Sequence, residues 1–274
     1  MARRWIGAWG GVLAAKLAVA ATLGVLADEA YHWVWSLRPA FGYFDQPPLV
    51  AWILAVTSPA TQPSPLALRW GPVVLATAGV GALVMRCPDR RLAFVWMLGL
   101  PPLFLLTQLA VPDALLLGGW ALALAGALVG GRGLLVAGIG AGLAGLAKPT
   151  AWALLPMILV AVSPEERRSR WLHLGVVANG LLLAPFGLWL AANQGVTLVF
   201  QLGENVVEAQ TQGAVGVARQ LGDQAAFVTP LAFLAGLAFV VRWPRDRIAR
   251  IAWFTSVPVL VGFAGAAWLG PPEA

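Results

Sequence analysis

Long apolar runs dominate this chain and restrict what it can fold into. Hydrophobic residues make up 59% of the 274 residues and charged residues only 11%, whereas a soluble domain carries about 25% charged residues. Because backbone exposed to lipid must satisfy its own hydrogen bonds, the runs are predicted to be helices. The sequence predicts an all-α integral membrane protein, a polytopic bundle of about nine membrane segments: 5–27, 66–85, 92–107, 114–130, 133–147, 150–162, 171–192, 225–241 and 251–268.

Charge alternates between the two sides of this arrangement. With the N-terminus in the cytoplasm, most basic residues fall on the cytoplasmic side: Arg3, Arg4, Arg86, Arg90, Arg91, Arg132, Arg167, Arg168, Arg170, Arg242, Arg245, Arg247 and Arg250. Most acids fall outside: Asp28, Glu29, Asp45, Asp113, Glu204, Glu208, Asp223 and Glu273. This pattern follows the positive-inside rule and accounts for the net charge of +6, so nucleic acid is excluded as a partner.

The chain reads as a single transmembrane module, 1–274, with two long outer loops, 28–65 and 193–224. In the first loop the apolar stretch 49–56 is too short to span and is expected to lie along the membrane interface. The runs 133–147 and 150–162 are also short, and the residues alone allow one broken helix or a shallow hairpin around Lys148 and Pro149. A single span there would move 165–170 to the outside and break the charge pattern, so two segments are preferred.

Ionisable residues on the outer side suggest chemistry. Two adjacent acids, Asp28 and Glu29, end the first apolar run, where they are costly to keep beside hydrocarbon. Asp113 and Lys148 come from separate spans but lie at a similar depth. A carboxylate can act as a general base, and a cation can stabilise a departing phosphate. Each residue also has a structural interpretation: a solvated helix end for the acid pair, an N-cap for Asp113 and snorkelling for Lys148.

Several motifs occur in a familiar order: Asp28-Glu29-Ala30-Tyr31-His32-Trp33, Gly42-Tyr43-Phe44-Asp45-Gln46-Pro47-Pro48-Leu49, Pro112-Asp113-Ala114, Leu146-Ala147-Lys148-Pro149-Thr150-Ala151, Phe200-Gln201-Leu202-Gly203 and Gln220-Leu221-Gly222. Together they resemble bacterial membrane glycosyltransferases of the dolichyl-phosphate-mannose–protein mannosyltransferase type, which include the aminoarabinose transferases of lipid A. The resemblance covers roughly residues 20–245. It implies a GT-C fold in the bacterial plasma membrane and an inverting transferase that acts on the extracytoplasmic face.

The resemblance also implies roles and partners. A polyprenyl-phosphate-linked sugar would be the donor and a lipid, glycan or protein the acceptor, with membrane lipids around them. Asp28 matches the family's base or acceptor-positioning residue and Asp113 its second acid. Lys148 matches the lysine that faces the donor phosphate. The substrate-binding candidates taken from the motifs are Glu29, Tyr43, Asp45, Lys148 and Gln201.

A divalent metal near Asp45 is a further expectation from the family's Tyr-Phe-Asp-His-Pro-Pro loop. Here Gln46 replaces the histidine, which weakens that expectation, and no cofactor is assigned with certainty. Glycines such as Gly138 and Gly140 lie inside apolar helix and are interpreted as close helix packing rather than a phosphate loop.

Family members usually continue well beyond this length, so the chain is expected to be a piece of a longer enzyme or a shortened homologue. Two alternatives to an active enzyme follow: an inactive paralogue that serves as a membrane partner, and a carrier of lipid-linked sugar. The sequence does not specify the sugar, the acceptor or the oligomeric state.

Overall fold

The computed structural model describes the backbone of residues 2–207, 213–228 and 230–269, and the side chains of 4–100, 103–201, 214–219, 221–223 and 234–262. Over these ranges the chain is helical, without strands. The helices are α1 Ala2–Thr22, α2 Ala27–Ser36, α3 Leu49–Thr57, α4 Pro65–Val84, α5 Arg90–Gly99, α6 Pro101–Leu106, α7 Pro112–Val129, α8 Gly133–Ala147, α9 Leu154–Ala161, α10 Pro164–Arg167, α11 Arg170–Ala192, α12 Val196–Val207, α13 Gly213–Val228, α14 Pro230–Val240 and α15 Arg247–Leu269. A 3₁₀ turn, Pro149–Ala153, precedes α9.

Among the described residues, four helical segments are long and apolar enough to cross a membrane: Arg4–Thr22, Pro65–Val84, Pro112–Val129 and Arg170–Ala192. At 1.5 Å per residue such helices approach the roughly 30 Å of a bilayer's hydrocarbon. Gly133–Ala147 and Pro149–Ala161 are apolar but shorter. They are two separate segments that meet at Lys148, as the charge pattern predicts. The all-α membrane class is confirmed, and the count of nine membrane segments stays a prediction.

The first predicted span, 5–27, is too long. Helix α1 ends at Thr22, and Asp28 and Glu29 lie in the first turn of a new helix, α2. Carboxylates are favourable in that turn because the N-terminal end of a helix carries partial positive charge. Their adjacency therefore marks a helix start, not the end of an apolar span.

The predicted span 92–107 is also divided. Helix α5 ends at Gly99, and α6 begins at Pro101. A proline supplies no backbone N–H and its ring crowds the preceding turn, so the pair Pro101-Pro102 suits the start of a helix rather than its interior.

Protein covers one side of helix α3, and its position along the membrane interface stays a prediction. Leu49, Val50 and Leu54 are buried in a cluster shared with α4, α7 and α8. The stretch is too short to span; neighbouring helices bury one side of it, whereas Val56 on the other side is 87% exposed. The buried side of α3 therefore belongs to the hydrophobic core.

Glycines bring α8 into close contact with helices on two sides. A Cβ atom on Gly138 would collide with Gly175 of α11, and one on Gly140 would lie 2.5 Å from the backbone nitrogen of Ala123 in α7. The interpretation of these glycines as packing positions is confirmed. Because α7 and α8 run antiparallel, the start of α7 lies beside the end of α8, which brings Asp113 next to Lys148.

The other end of the bundle has its own ion pair. Arg247, at the start of α15, donates to the carbonyl oxygens of Ala127 at 2.6 Å and Leu128 at 2.8 Å, in the last turn of α7. It also contacts Glu166 Oε1 at 2.5 Å. We call the end with Asp28, Asp113 and Lys148 the site end, and the end with Glu166 and Arg247 the opposite end. Which of them faces the cytoplasm stays a prediction.

The second outer loop, 193–224, is largely helical, because it contains α12 and most of α13. The predicted span 225–241 is shared between the end of α13 and α14. Residues 208–212, with Glu208, lie outside the described residues, as do 270–274, with Glu273; the side chain of Glu204 is also not described.

Candidate active site

Asp113 and Lys148 form an ion pair at the mouth of the site end. The Lys148 ammonium donates to both carboxylate oxygens of Asp113, at 2.8 and 3.0 Å. Pro112 starts α7 and so places Asp113 in its first turn, while Lys148 follows the last residue of α8. The Asp113 side chain remains 34% exposed and the Lys148 side chain 27% exposed. This pair is therefore open to a ligand.

His32 lies among three acids. His32 is buried, and it lies one helical turn after Asp28, which is exposed. Burial lowers the pKa of His32, and the Asp28 carbonyl and the carboxylates of Asp45, Asp28 and Asp113 oppose that effect. The net direction is down, which favours a neutral imidazole near pH 7. The charges of these three carboxylates act on His32, so residues distant in sequence lie at the same end of the bundle.

The loop before α3 holds Asp45 in place. The Tyr43 ring stacks on Trp35 with 4.4 Å between centroids, and its hydroxyl accepts a hydrogen bond from the Ala40 N–H at 3.1 Å. The hydroxyl also lies 3.1 Å from the carbonyl oxygen of Trp35. Burial raises the pKa of Tyr43. Tyr43 thus stabilises the loop through contacts within it and with Trp35 of α2.

Asp45 is a half-buried carboxylate. Burial raises its pKa, against smaller effects that include its own backbone and His32. Its Oδ1 atom is buried, and no donor among the described residues hydrogen-bonds to it. Burial and the neighbouring Asp45 also raise the pKa of the Tyr31 hydroxyl. Asp45 therefore belongs to the acid cluster around His32.

Helix α12 packs over this loop from the other side. Thr197 Oγ1 donates to the carbonyl oxygen of Tyr43 at 2.6 Å, and Gln201 Nε2 donates to that of Asp45 at 2.6 Å. The predicted site residue Gln201 is thus brought to the loop that carries Tyr43 and Asp45, although more than 150 residues separate them in the chain.

Glu29 has a different environment from its neighbour Asp28. Its side chain is 0% exposed and paired with the equally buried Arg69 of α4. Glu29 Oε1 accepts from Arg69 Nε at 2.7 Å and from the Ala110 N–H at 2.9 Å. Oε2 accepts from Arg69 Nη2 at 2.5 Å and from the Leu26 N–H at 3.0 Å. The solvated helix end considered for this acid is wrong, and the predicted substrate-binding role has no exposed atom to act through.

These contacts set the ionisation of Glu29. Burial raises its pKa, but the hydrogen bonds from Arg69, Ala110 and Leu26, together with the Arg69 charge, outweigh that effect and hold the pKa below its usual value. Sequence reasoning missed Arg69 as a partner. The sequence signal for this partner is an isolated arginine near the start of an apolar helix. The sequence also places two adjacent acids, Asp28 and Glu29, at the same end of the bundle.

The described residues contain no cluster of candidate metal ligands. Within the described ranges, no group of three or more His, Cys, Asp or Glu side chains is arranged to hold an ion. The expectation of a divalent metal near Asp45 stays a prediction.

Comparisons with known proteins identify the fold. No family model matches the chain, and no curated protein matches it. Its structure is similar to the crystal structure of ArnT from Cupriavidus metallidurans in the apo state, with a TM-score of 0.59 and 17% sequence identity over 96% of this chain. The fold is GT-C-like. The chain spans about 60% of the length of that ArnT structure. With its apolar helices, the likeness supports an integral membrane protein.

Proposed function

We propose that the protein is a membrane glycosyltransferase that moves a sugar from a polyprenyl-phosphate donor to an acceptor at the site end. The observation that carries the proposal is the gathering of Asp28, Asp113 and Lys148 at one partly open end of a GT-C-like bundle. The acceptor, whether lipid, glycan or protein, is left open. The extracytoplasmic side and the bacterial plasma membrane belong to the same proposal.

The proposed transfer is a displacement at the anomeric carbon of the donor sugar. The acceptor oxygen or nitrogen attacks the anomeric carbon of the sugar from the face opposite the phosphate, so the configuration inverts. The new bond forms as the bond between the anomeric carbon and the phosphate oxygen breaks, and the phosphate leaves with the electron pair. The proton of the acceptor passes to the Asp28 carboxylate, which suits this role because it is exposed.

Lys148 would stabilise the charge that develops on the phosphate. Its ammonium is bound to Asp113 at 2.8 Å and is still partly exposed, so a phosphate oxygen can approach it. Asp113 would orient Lys148 and position the donor sugar or the acceptor. Tyr43, Asp45 and Gln201 would shape the binding surface, since the loop and α12 are joined there.

The test is transfer by the purified full chain in nanodiscs, with radiolabelled polyprenyl-phosphate sugars as donors and candidate acceptors supplied together. Asp28→Asn should reduce transfer about a hundredfold or more, because it removes the base. Glu165→Gln is the matched control, since Glu165 is an acid near the opposite end. It should leave transfer unchanged.

Full activity of Asp28→Asn would reject Asp28 as the base. Flux of the labelled lipid across proteoliposomes, with no transfer product from any donor and acceptor pair, would reject the enzyme and favour the carrier.

A further inference from the structure

The buried pair of Glu29 and Arg69 joins four segments of the chain at the site end. Arg69 belongs to α4 and Glu29 to α2. Arg69 Nη1 donates to the carbonyl oxygens of Ala20 at 2.8 Å and Leu23 at 2.7 Å, at the end of α1. Glu29 also receives the N–H of Ala110, in the connection that leads into α7. Two side chains thus hold four backbone segments together.

The hydrogen bonding of this pair is complete. Arg69 Nη2 donates to the carbonyl oxygen of Gly24 at 2.5 Å as well as to Glu29. All five guanidinium N–H groups are therefore used. Every partner of the Glu29 carboxylate is an N–H donor, and every partner of Arg69 is an oxygen. An amide in place of the Glu29 carboxylate would turn an NH₂ group toward an N–H donor, so these contacts depend on a carboxylate at this position.

The segments held by this pair are the ones that carry the candidate catalytic acids. Glu29 directly follows Asp28 in the first turn of α2. Ala110 precedes Asp113 by three residues, and α7 begins at Pro112. The two oxygens of Glu29 thus contact both segments, one through Leu26 and the other through Ala110.

We propose that Glu29 and Arg69 are positioning residues that set the distance between Asp28 and the pair of Asp113 and Lys148. The catalytic consequence rests on the proposed function, whereas the geometric consequence does not. Arg69 contributes by donating hydrogen bonds to the carbonyl oxygens of Leu23 and Gly24, just after α1, which fixes the turn at 23–26 and the starting point of α2. A misplacement of about 1 Å at a catalytic group can lower a rate about a hundredfold.

A purely structural salt bridge is the competing explanation, and the chain contains a suitable control. Arg247 at the opposite end also pairs with a glutamate, Glu166, and also donates to carbonyl oxygens at the end of a helix. Glu166→Gln therefore removes a similar interaction far from the candidate active site. Any effect shared by both pairs reflects stability alone.

The first test measures geometry without activity. Cys87 is the single cysteine of the sequence, so nitroxide labels are placed at Ala30→Cys and Thr150→Cys in a Cys87→Ala background. Both positions are exposed, one in α2 and the other two residues after Lys148. Double electron–electron resonance should show a shifted or broader distance distribution in Glu29→Gln and an unchanged one in Glu166→Gln. An unchanged distribution in Glu29→Gln would overturn the proposal, whether or not the protein transfers sugar.

The second test separates kcat from KM. Glu29→Asp keeps the charge and the acceptor oxygens but shortens the side chain, so it should fold while shifting Asp28. We expect kcat to fall about tenfold to a hundredfold with little change in the donor KM, and Glu166→Asp to leave both constants unchanged. Equal kinetic effects of Glu29→Asp and Glu166→Asp would overturn the positioning role.

Loss of folding does not decide between the explanations, so both comparisons use variants whose melting temperatures in detergent lie above the assay temperature. Arg69→Lys is the second variant at this pair, because it keeps the charge and loses the guanidinium fork. It should shift the label distance as Glu29→Gln does, and a wild-type distance in it would count against Arg69.

Discussion

Two ion pairs lie at the same end of the bundle and differ in their burial and in their hydrogen-bond partners. Glu29 and Arg69 are both 0% exposed, whereas Asp113 and Lys148 keep about a third of their side-chain surface. The buried pair has further partners in α1, at the N-cap of α2 and in the connection before α7. The open pair is joined only to itself among the hydrogen bonds of the described side chains.

This difference separates a structural pair from one that can take part in chemistry. Charges removed from water are tolerated only when their hydrogen bonds are satisfied, and Glu29 and Arg69 meet that condition completely. They have no group left for a substrate. Lys148 and Asp113 keep water-accessible surface and unused hydrogen-bonding capacity, so a phosphate or a sugar hydroxyl can replace water there.

The largest expected effect is loss of stability on removing one partner of the buried pair. Arg69→Met removes the guanidinium donors of the Glu29 carboxylate and of the carbonyl oxygens of Ala20, Leu23 and Gly24. We expect the free energy of unfolding to fall by about 3–5 kcal/mol. Thermal unfolding in detergent measures this, with Arg38→Met, a change at an exposed position, as the control. A loss below about 1 kcal/mol would remove the contrast between the pairs.

The open pair should show the reverse behaviour. Lys148→Met should lower kcat for transfer about a hundredfold, because a cation aimed at the leaving phosphate is lost. The free energy of unfolding should change by no more than about 1 kcal/mol, as for other exposed pairs. Transfer kinetics and melting temperature on the same preparation check both parts. Strong destabilisation with intact kcat would assign this pair to structure.

The pH dependence of stability should also come from the buried pair. The pKa of Glu29 in the fold lies below its ordinary 4.5, so the unfolded chain binds a proton first as the pH falls. The contribution of Glu29 to stability is complete above pH 4.5 and is lost below it, at most about 1.4 kcal/mol per pH unit. Melting temperatures from pH 7 to pH 3 should fall less steeply in Glu29→Gln. Parallel curves for the two proteins would contradict this.

The smallest effect is expected at Asp45, which is half-buried, as Asp113 and Lys148 are. Burial raises the pKa of Asp45, so its charged form is disfavoured in the folded state and destabilises the protein at pH 7. Asp45→Asn should therefore stabilise the fold slightly at pH 7, with a smaller gain at pH 4. A lower melting temperature of this variant at pH 7 would show that the charge is compensated by an interaction of its own.

Parts of the site could be predicted from the order of apolar runs. Alternating spans place Asp28, Asp113 and Lys148 at one end, and glycines within apolar helix indicated that α8 packs closely against its neighbours. The partner of Glu29 could not be predicted, because Arg69 is 40 residues away and its burial depends on how α1, α2 and α4 pack. The division of α5 from α6 was signalled by Pro101 and Pro102, but hydropathy averaged over the run concealed it.

By itself, the sequence determined that this chain is a helical membrane protein and which ends of its helices meet, since apolar length and chain direction are local properties of the polymer. Only the tertiary structure decided which of two adjacent acids, Asp28 or Glu29, faces water and which is enclosed by Arg69. Exposure depends on the helices that pack around a side chain, and neighbours in the chain point in different directions from the same helical turn.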